Sequence, residues 1–276
     1  MEKYGIHVLM GIVIIALLIP FLFYIFSNGE EPAPSDPPPE EENENGNGSE
    51  NGNGSENGNE NGSDSELHWG VDSASYTDES LYQCVIDNFG QPEVWGRYLG
   101  DREDISAGLD ADEVNYLHEN DIQILVIYNH VNDARGYNHG VDHANQAIAY
   151  AEDLDIPEGV AIFGDIEPSY PVDSAFMEGW YDALTESVYE PGIYGVFDAD
   201  SDLMEAYNAM EPEIQENTIV WTAYPQIEIT TKENAPEFNP QGPENALVYG
   251  WQYAIDANTC NIDTNLFSGE MMDYLW

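Results

Sequence analysis

Basic residues are almost missing from this sequence: five Lys and Arg stand against 54 Asp and Glu in 276 residues, a formal charge of -49. A surface that grips phosphates needs clustered Lys and Arg, so the scarcity excludes nucleic acid as a partner. Cysteine is nearly absent too. Cys84 and Cys260 are the only two, too few for a disulfide scaffold or a cysteine-built zinc site. No Gly-rich loop opens a helix in phosphate-binding form, and no serine nucleophile elbow is present. What the chain does have is 42% hydrophobic and 12% aromatic residues. That excludes a chain disordered throughout.

The first 66 residues stand apart from the rest. Gly5 to Phe26 is a run of 22 residues whose only strongly polar member is His7. At 1.5 Å per residue it spans the roughly 30 Å hydrocarbon layer. No small-residue cleavage pattern follows it and no lipobox cysteine is present, so an uncleaved single-pass anchor is expected over 5–26. Lys3 before it, against Glu30 and Glu31 after it, puts residues 1–4 in the cytoplasm and the remaining chain outside. Secretion after signal cleavage is the alternative. Residues 27–66 are Pro-rich and then repeat Asn-Gly-Asn-Gly-Ser-Glu at 45–50 and 51–56. Such a tract cannot bury a core and reads as a disordered acidic linker. The folded domain is expected over 67–276, as a monomer. Outside the cytoplasm Cys84 and Cys260 are able to pair; a buried thiol at Cys84, on an apolar face with Leu81 and Val85, fits equally.

Thirteen of the acids precede residue 67, which leaves 41 in the domain against four bases, Arg97, Arg102, Arg135 and Lys232. Their scatter over every helical segment suggests adaptation to saline surroundings, where screening suppresses self-repulsion.

From residue 68 apolar strand-like runs alternate with amphipathic stretches. Strands are expected at 68–74, 94–99, 122–129, 160–167, 192–197, 218–224, 247–253 and 262–266. Val141, Ala144, Ile148 and Ala151 mark one helix by their spacing. Asp110, Asp173 and Asp200 stand where N-caps belong. Eight strands with intervening helices predict a TIM-like (β/α)8 barrel with degenerate last helices, and an open doubly wound sheet is the runner-up.

In a barrel, side chains at the C-terminal strand ends form the site. The run Val160-Ala-Ile-Phe-Gly-Asp165-Ile-Glu167-Pro168 places two carboxyls two residues apart, on one face, with Cβ atoms about 6–7 Å apart. Glycoside hydrolysis uses such a pair, one to protonate the leaving oxygen and one to steady positive charge or activate the attacking group. Asp72 ends the first strand and Asp263 lies on the last. Tyr128, Asn129, Trp221, Tyr224, Trp251 and Gln252 stand at other strand ends, where flat rings and amides suit a sugar. His139 and His143 lack the intervening glutamate of a zincin, and neither a metal nor a cofactor is expected.

These strings together resemble a known group. Gly70-Val71-Asp72, Asp165-x-Glu167, Pro191-Gly192-Ile193-Tyr194, Trp251-Gln252-Tyr253 and Asp263-x-Asn265 resemble the family 25 glycoside hydrolases, muramidases acting on peptidoglycan. Trp95-Gly96-Arg97-Tyr98-Leu99 replaces the second-strand motif of those enzymes. It looks closer to the glycoside hydrolase-like DUF1906, or Rv2525c-like, domain, with the resemblance covering about residues 68 to 267. The resemblance implies Glu167 as general acid and Asp165 as the residue that orients an N-acetyl group or steadies charge. It implies Asp72 and Asp263 as floor carboxylates, with Tyr194 among the substrate contacts. Arg97 has no muramidase counterpart; a buried counter-ion and a binder of an acidic sugar are its two readings. The expected function is hydrolysis of an extracellular glycan, and a non-catalytic glycan-binding module of the same fold is the alternative.

Overall fold

The structure, a computed structural model, describes residues 66–276. The anchor expected over 5–26 and the linker through residue 65 lie outside the described residues. No described helix is long and apolar enough to cross a membrane.

Eight strands close into a barrel in chain order. They are β1 (His68–Asp72), β2 (Val94–Tyr98), β3 (Gln123–Tyr128), β4 (Ala161–Ile166), β5 (Glu190–Gly195), β6 (Ile219–Thr222), β7 (Leu247–Ala254) and β8 (Asp263–Phe267). Closure excludes the open-sheet alternative. Helices α1 (Glu79–Asn88), α2 (Ala111–Glu119), α3 (Tyr137–Asp153) and α4 (Ser174–Thr185) follow the first four strands. The short α5 (Asp202–Asn208) and α6 (Pro212–Glu216) join β5 to β6, and only a 3-10 turn at Lys232–Asn234 lies between β6 and β7. The last connections have thus lost their long helices, as the proline-rich sequence there suggests.

Strand alternation sorts side chains between two layers. Val94, Leu125, Ile127, Ala161, Phe163, Ile219, Trp221 and Phe267 fill the barrel. Trp95, Ile124, Val126, Ile162, Ile193 and Val220 pack outward in the layer that includes helix residues Val114, Ala144, Ala147 and Trp180. Met271 and Leu275 join the interior set, beyond the end of β8. Asp110 and Asp173 cap α2 and α4, each accepting a backbone N–H at 2.9 Å. At α5 the cap is Ser201 and not Asp200: the Ser201 hydroxyl, directly before the first helical residue, accepts from Met204 N at 3.1 Å. Cys84 and Cys260 form a disulfide between α1 and the β7–β8 connection.

The expected parallel eighth strand is wrong. β8 runs antiparallel to both β7 and β1. A parallel return needs a crossover of about a dozen residues or more, and only residues 255–262 separate β7 from β8. The reversal matters for the site. It brings the first residue of β8, Asp263, beside the last residue of β1, Asp72.

Candidate active site

Asp72 sits between Gly96 on β2 and Asp263 on β8. Space for its carboxyl comes from the glycine, since a Cβ at position 96 would lie 2.7 Å from Asp72 Cβ. Asp165 shares the parity of Ala161 and Phe163 and stands beside Tyr194 of β5. Glu167 follows one residue past β4. Tyr98 closes β2.

A hydrogen-bond network fixes one half of this mouth. Asp72 Oδ2 accepts from Asn265 Nδ2 at 2.7 Å and from Gln252 Nε2 at 3.0 Å. The same Gln252 nitrogen lies 3.2 Å from Asp263 Oδ2. Gln252 Oε1 accepts from the Tyr194 hydroxyl at 2.6 Å, and Asn265 Oδ1 accepts from Trp221 Nε1 at 2.9 Å. Asp263 Oδ1 accepts Asp256 N at 2.7 Å. Asp165 differs: it is buried, and its Oδ1 has no hydrogen-bond partner.

Burial dominates the electrostatics of all four carboxyls. It raises Asp72 to about 6, against the two amide donors and Arg97. Burial, with the charge of Asp72, raises Asp263 to about 8. Asp165 is pushed well above the usual carboxylate range by burial, then by Glu167 and Asp72. Desolvation raises Glu167 as well, although part of its surface meets solvent, and Arg102 opposes the rise at both Asp165 and Glu167. Tyr98 and Tyr194 are raised by burial and by the same acids. Their mutual influence places Asp72, Asp165, Glu167, Asp263, Tyr98 and Tyr194 in one cluster. Near neutral pH this cluster retains protons, so it is able to donate one.

Other expected site residues lie elsewhere. Arg97 points outward from β2 and forms a fully buried pair with Glu113 of α2 at 2.6 Å. It also donates to the carbonyls of Ser73 and Ala107. Arg97 is therefore a counter-ion that ties two mouth loops to a helix, not a sugar binder. Tyr128 also faces outward, its hydroxyl bonded to His143 and Gln146 of α3. Trp251 packs in the outer layer and donates to the Pro225 carbonyl at 2.9 Å. The cause is common to all three: a strand end fixes height, but parity fixes the face. Trp221 lies inside the barrel yet is fully buried beneath the mouth, supporting Asn265. Tyr224 stands two residues past β6, half-buried, with no side-chain bond to the cluster. Asn129 is buried one residue past β3, donates to Ser106 Oγ at 2.9 Å, and keeps Oδ1 unpartnered. His139 and His143 face each other, Nε2 to Nε2 at 3.1 Å. They are half-buried.

Arg102, Tyr98 and Asn265 lie at the mouth without having been expected as site residues. Tyr98 and Asn265 were legible by parity, sharing a face with Gly96 and with Asp263. Arg102 sits on the irregular loop after β2, where no periodicity guides a choice.

Depressions of three sizes ring the strand ends. One of about 130 Å³ is lined by Asp72, Tyr98 and Asp263. A second, about 380 Å³, is lined by Ala74 and residues 101–107, and shares Ala74 with the first. The third, about 290 Å³, holds Glu167, Pro168 and Tyr170.

Residues 92–265 match the family model described as the Rv2525c-like, glycoside hydrolase-like domain. None of the curated proteins matches the chain. Among solved structures, an uncharacterized B. stearothermophilus protein is 34% identical with a TM-score of 0.74, over 76% of this chain and 100% of that one. The Clostridium perfringens spore cortex lytic enzyme SleM is 12% identical with a TM-score of 0.51, covering 76% of this chain and 69% of SleM. The modular autolysin LytC from Streptococcus pneumoniae, solved with a synthetic peptidoglycan ligand, is 16% identical with a TM-score of 0.50. That match covers 73% of this chain and 46% of LytC. The last two show likeness of fold alone.

Proposed function

This chain belongs to the Rv2525c-like, glycoside hydrolase-like family, and from that premise we propose that its barrel hydrolyses a cell-wall type glycan outside the cytoplasm. The observation that carries the reading is the pairing at the end of β4. Asp165, buried with Oδ1 unpartnered, stands two residues from the more accessible Glu167, and both carboxyls are raised. Raising a carboxyl's pKa shifts it toward holding a proton that it can deliver in the transition state.

In the proposed reaction Glu167 protonates the glycosidic oxygen as the C1–O bond breaks. The Asp165 carboxyl accepts the N–H of a neighbouring acetamido group, whose oxygen steadies the positive charge growing at C1. Water then attacks C1 and returns a proton to Glu167. Asp72 and Asp263, already gripped by Asn265 and Gln252, are placed to hold sugar hydroxyls. The fold shared with a spore cortex lytic enzyme and an autolysin makes peptidoglycan the first substrate to try. The Cys84–Cys260 disulfide supports an oxidising compartment, consistent with residues 5–26 as a membrane anchor.

The test is release of reducing ends from peptidoglycan by the full chain in high salt, beside Glu167→Gln. Loss of general acid catalysis lowers turnover by about 10²–10⁴-fold, with glycan affinity kept. A wild type that binds glycan without cleaving it makes the domain a binding module instead. A wild type that does neither ends the glycan reading.

A further inference from the structure

We infer that Arg102 is the substrate-selecting cation of the mouth, taking a carboxylate carried by the glycan, so that the barrel prefers an acidic sugar to a neutral one. The inference rests on the glycan reading above and names the substrate class within it.

Cation pairing points to this residue. Among the described residues there are four Lys and Arg, and acids outnumber them tenfold. Arg97 pairs with Glu113 at 2.6 Å, Arg135 with Asp133 at 2.7 Å, and Lys232 with Glu93 at 2.7 Å. Among these four, Arg102 alone has no carboxylate within 4.0 Å. Its own neighbours in sequence are Asp101, Glu103 and Asp104, yet Asp101 spends its Oδ1 on Gly108 N at 2.9 Å. In a domain this acidic, an arginine left without a partner needs a reason.

Its placement supplies one. The loop carrying it is stapled by Arg102 N to Ser106 O at 2.9 Å and Ser106 N to Arg102 O at 3.0 Å. The guanidinium is anchored through Nη1, which donates to the Asn129 carbonyl at 2.5 Å. Nε and Nη2 make no hydrogen bond among the described residues. Two neighbouring N–H donors on one rigid plane are the fork that binds a carboxylate through both oxygens. Arg102 also lines the depression of about 380 Å³ that adjoins the one at Asp72, Tyr98 and Asp263, and its charge is felt at Asp165 and Glu167. The side chain of Asn129, whose carbonyl holds the arginine, is buried with Oδ1 unpartnered, an unspent acceptor directly behind the guanidinium. Around this one cation the loop is acidic, with Asp101, Glu103 and Asp104 beside it in the chain. A carboxylate is attracted there and repelled elsewhere, which fixes the register of the sugar relative to Glu167.

The alternative is that Arg102 acts only through its field on Glu167 and Asp165. It would then treat acidic and neutral sugars alike. Binding is therefore measured by calorimetry on the full chain in a Glu167→Gln background, so that no ligand turns over. One probe pair is an N-acetylglucosamine–N-acetylmuramic acid tetrasaccharide and its carboxyl-reduced form. The second is a hyaluronan tetrasaccharide and its carboxyl-reduced form, so the two arms separate a lactyl carboxylate from a uronic one. A charge-assisted bidentate contact predicts a preference of about 10-fold or more for the acid in at least one pair. Arg102→Gln collapses that ratio to near one, and Arg102→Lys keeps part of it. Arg135→Gln removes the same charge from an exposed pair far along the chain and keeps the ratio. No preference in the wild type, or a ratio unchanged in Arg102→Gln, overturns the assignment while leaving the glycan reading intact. Binding of none of the four probes removes both.

Discussion

On the outer wall of the barrel, Arg97 and Glu113 are fully buried and fully occupied: the arginine serves Glu113, Ser73 O and Ala107 O, and Glu113 also accepts Thr77 N at 2.6 Å. At the mouth, the polar groups are as closely packed but unfinished. Asp165 Oδ1 and Asn129 Oδ1 lack partners, Arg102 has two idle donors, and four carboxyls are held above their ordinary range. Leaving a buried polar group unpaired costs roughly 1–3 kcal/mol. Thr77 Oγ1 and Trp95 Nε1 on the outer side also lack partners, so the difference lies in the charged groups: those of the outer wall are fully engaged, and those of the mouth are left open for chemistry.

Breaking the outer pair should produce the largest stability effect. Arg97→Met strands Glu113 in a dry layer, and removing one member of a buried pair costs about 3–5 kcal/mol. The double variant Arg97→Met with Glu113→Leu should recover most of that loss, because it buries no uncompensated charge. Denaturant melts of the three proteins decide it. A single variant as stable as wild type would mean the pair is not structural, and the contrast with the mouth would fail.

The same contrast explains what the sequence allowed. The Asp165-x-Glu167 pair was legible because an apolar run fixed both the strand and its parity. Asp72 was legible for the same reason. Asp263 is legible as a residue of the last strand beside the first, with a floor role that the resemblance implies; a parallel strand beginning there would put it at the far end of the barrel, and it reaches the mouth because β8 is reversed. Alternation looks identical in both directions, and only the short β7–β8 connection carries the signal. Arg97 carries two readings in the sequence, buried counter-ion and sugar binder, and the inward face already taken by Gly96 and Tyr98 is what decides for the counter-ion. Glu113 gave no sign at all, since one buried acid on a helix rich in acids reads like its solvated neighbours. Arg102 belongs to a loop, and a loop's three-dimensional course does not follow from residue spacing.

A second, smaller effect comes from the protons held at the mouth. Asp72 rises from 3.8 to about 6 and Asp263 from 3.8 to about 8. The folded chain therefore binds more protons than the unfolded chain between about pH 4 and 8. Stability is full below the unfolded value and falls as pH climbs through the folded ones, by about 1.4 kcal/mol per pH unit for each proton retained. His143 works the other way, because burial and its histidine neighbours lower it, so its contribution grows with pH up to the ordinary histidine range. The interval from pH 7 to 8 lies above Asp72 and reaches the folded value of Asp263, with the strongly raised Asp165 contributing beside it. Melting temperature should drop across that interval, and Asp263→Asn should reduce the drop. A wild type that is equally stable at both values would show that Asp263 does not hold its proton.

The smallest effect per step belongs to the exposed carboxylates, and it separates them from the buried ones. Exposed acids such as Glu79, Asp87, Asp112, Glu119, Asp142, Glu152 and Asp153 lie on the solvent sides of α1 to α3. Folding concentrates them, so their repulsion weighs on the compact state more than on the expanded chain. Salt screens exposed charges far better than buried ones; the Debye length falls from about 30 Å at 0.01 M to about 3 Å at 1 M. Each tenfold rise in chloride should therefore stabilise the fold by a fraction of a kcal/mol, about 1–3 °C in melting temperature for a domain of this size. Potassium and sodium chloride should act alike if screening is the cause, whereas sulfate would stabilise almost any protein by exclusion. The pH 7 to 8 drop at Asp263 should survive in 2 M chloride, since burial and not the surface field sets it. Melts over about 0.01–2 M chloride at both pH values test the two halves together. A melting temperature flat in salt would mean that the acidity of the surface is no adaptation to saline surroundings, and a pH drop abolished by salt would move the cause from the buried mouth to the exposed shell.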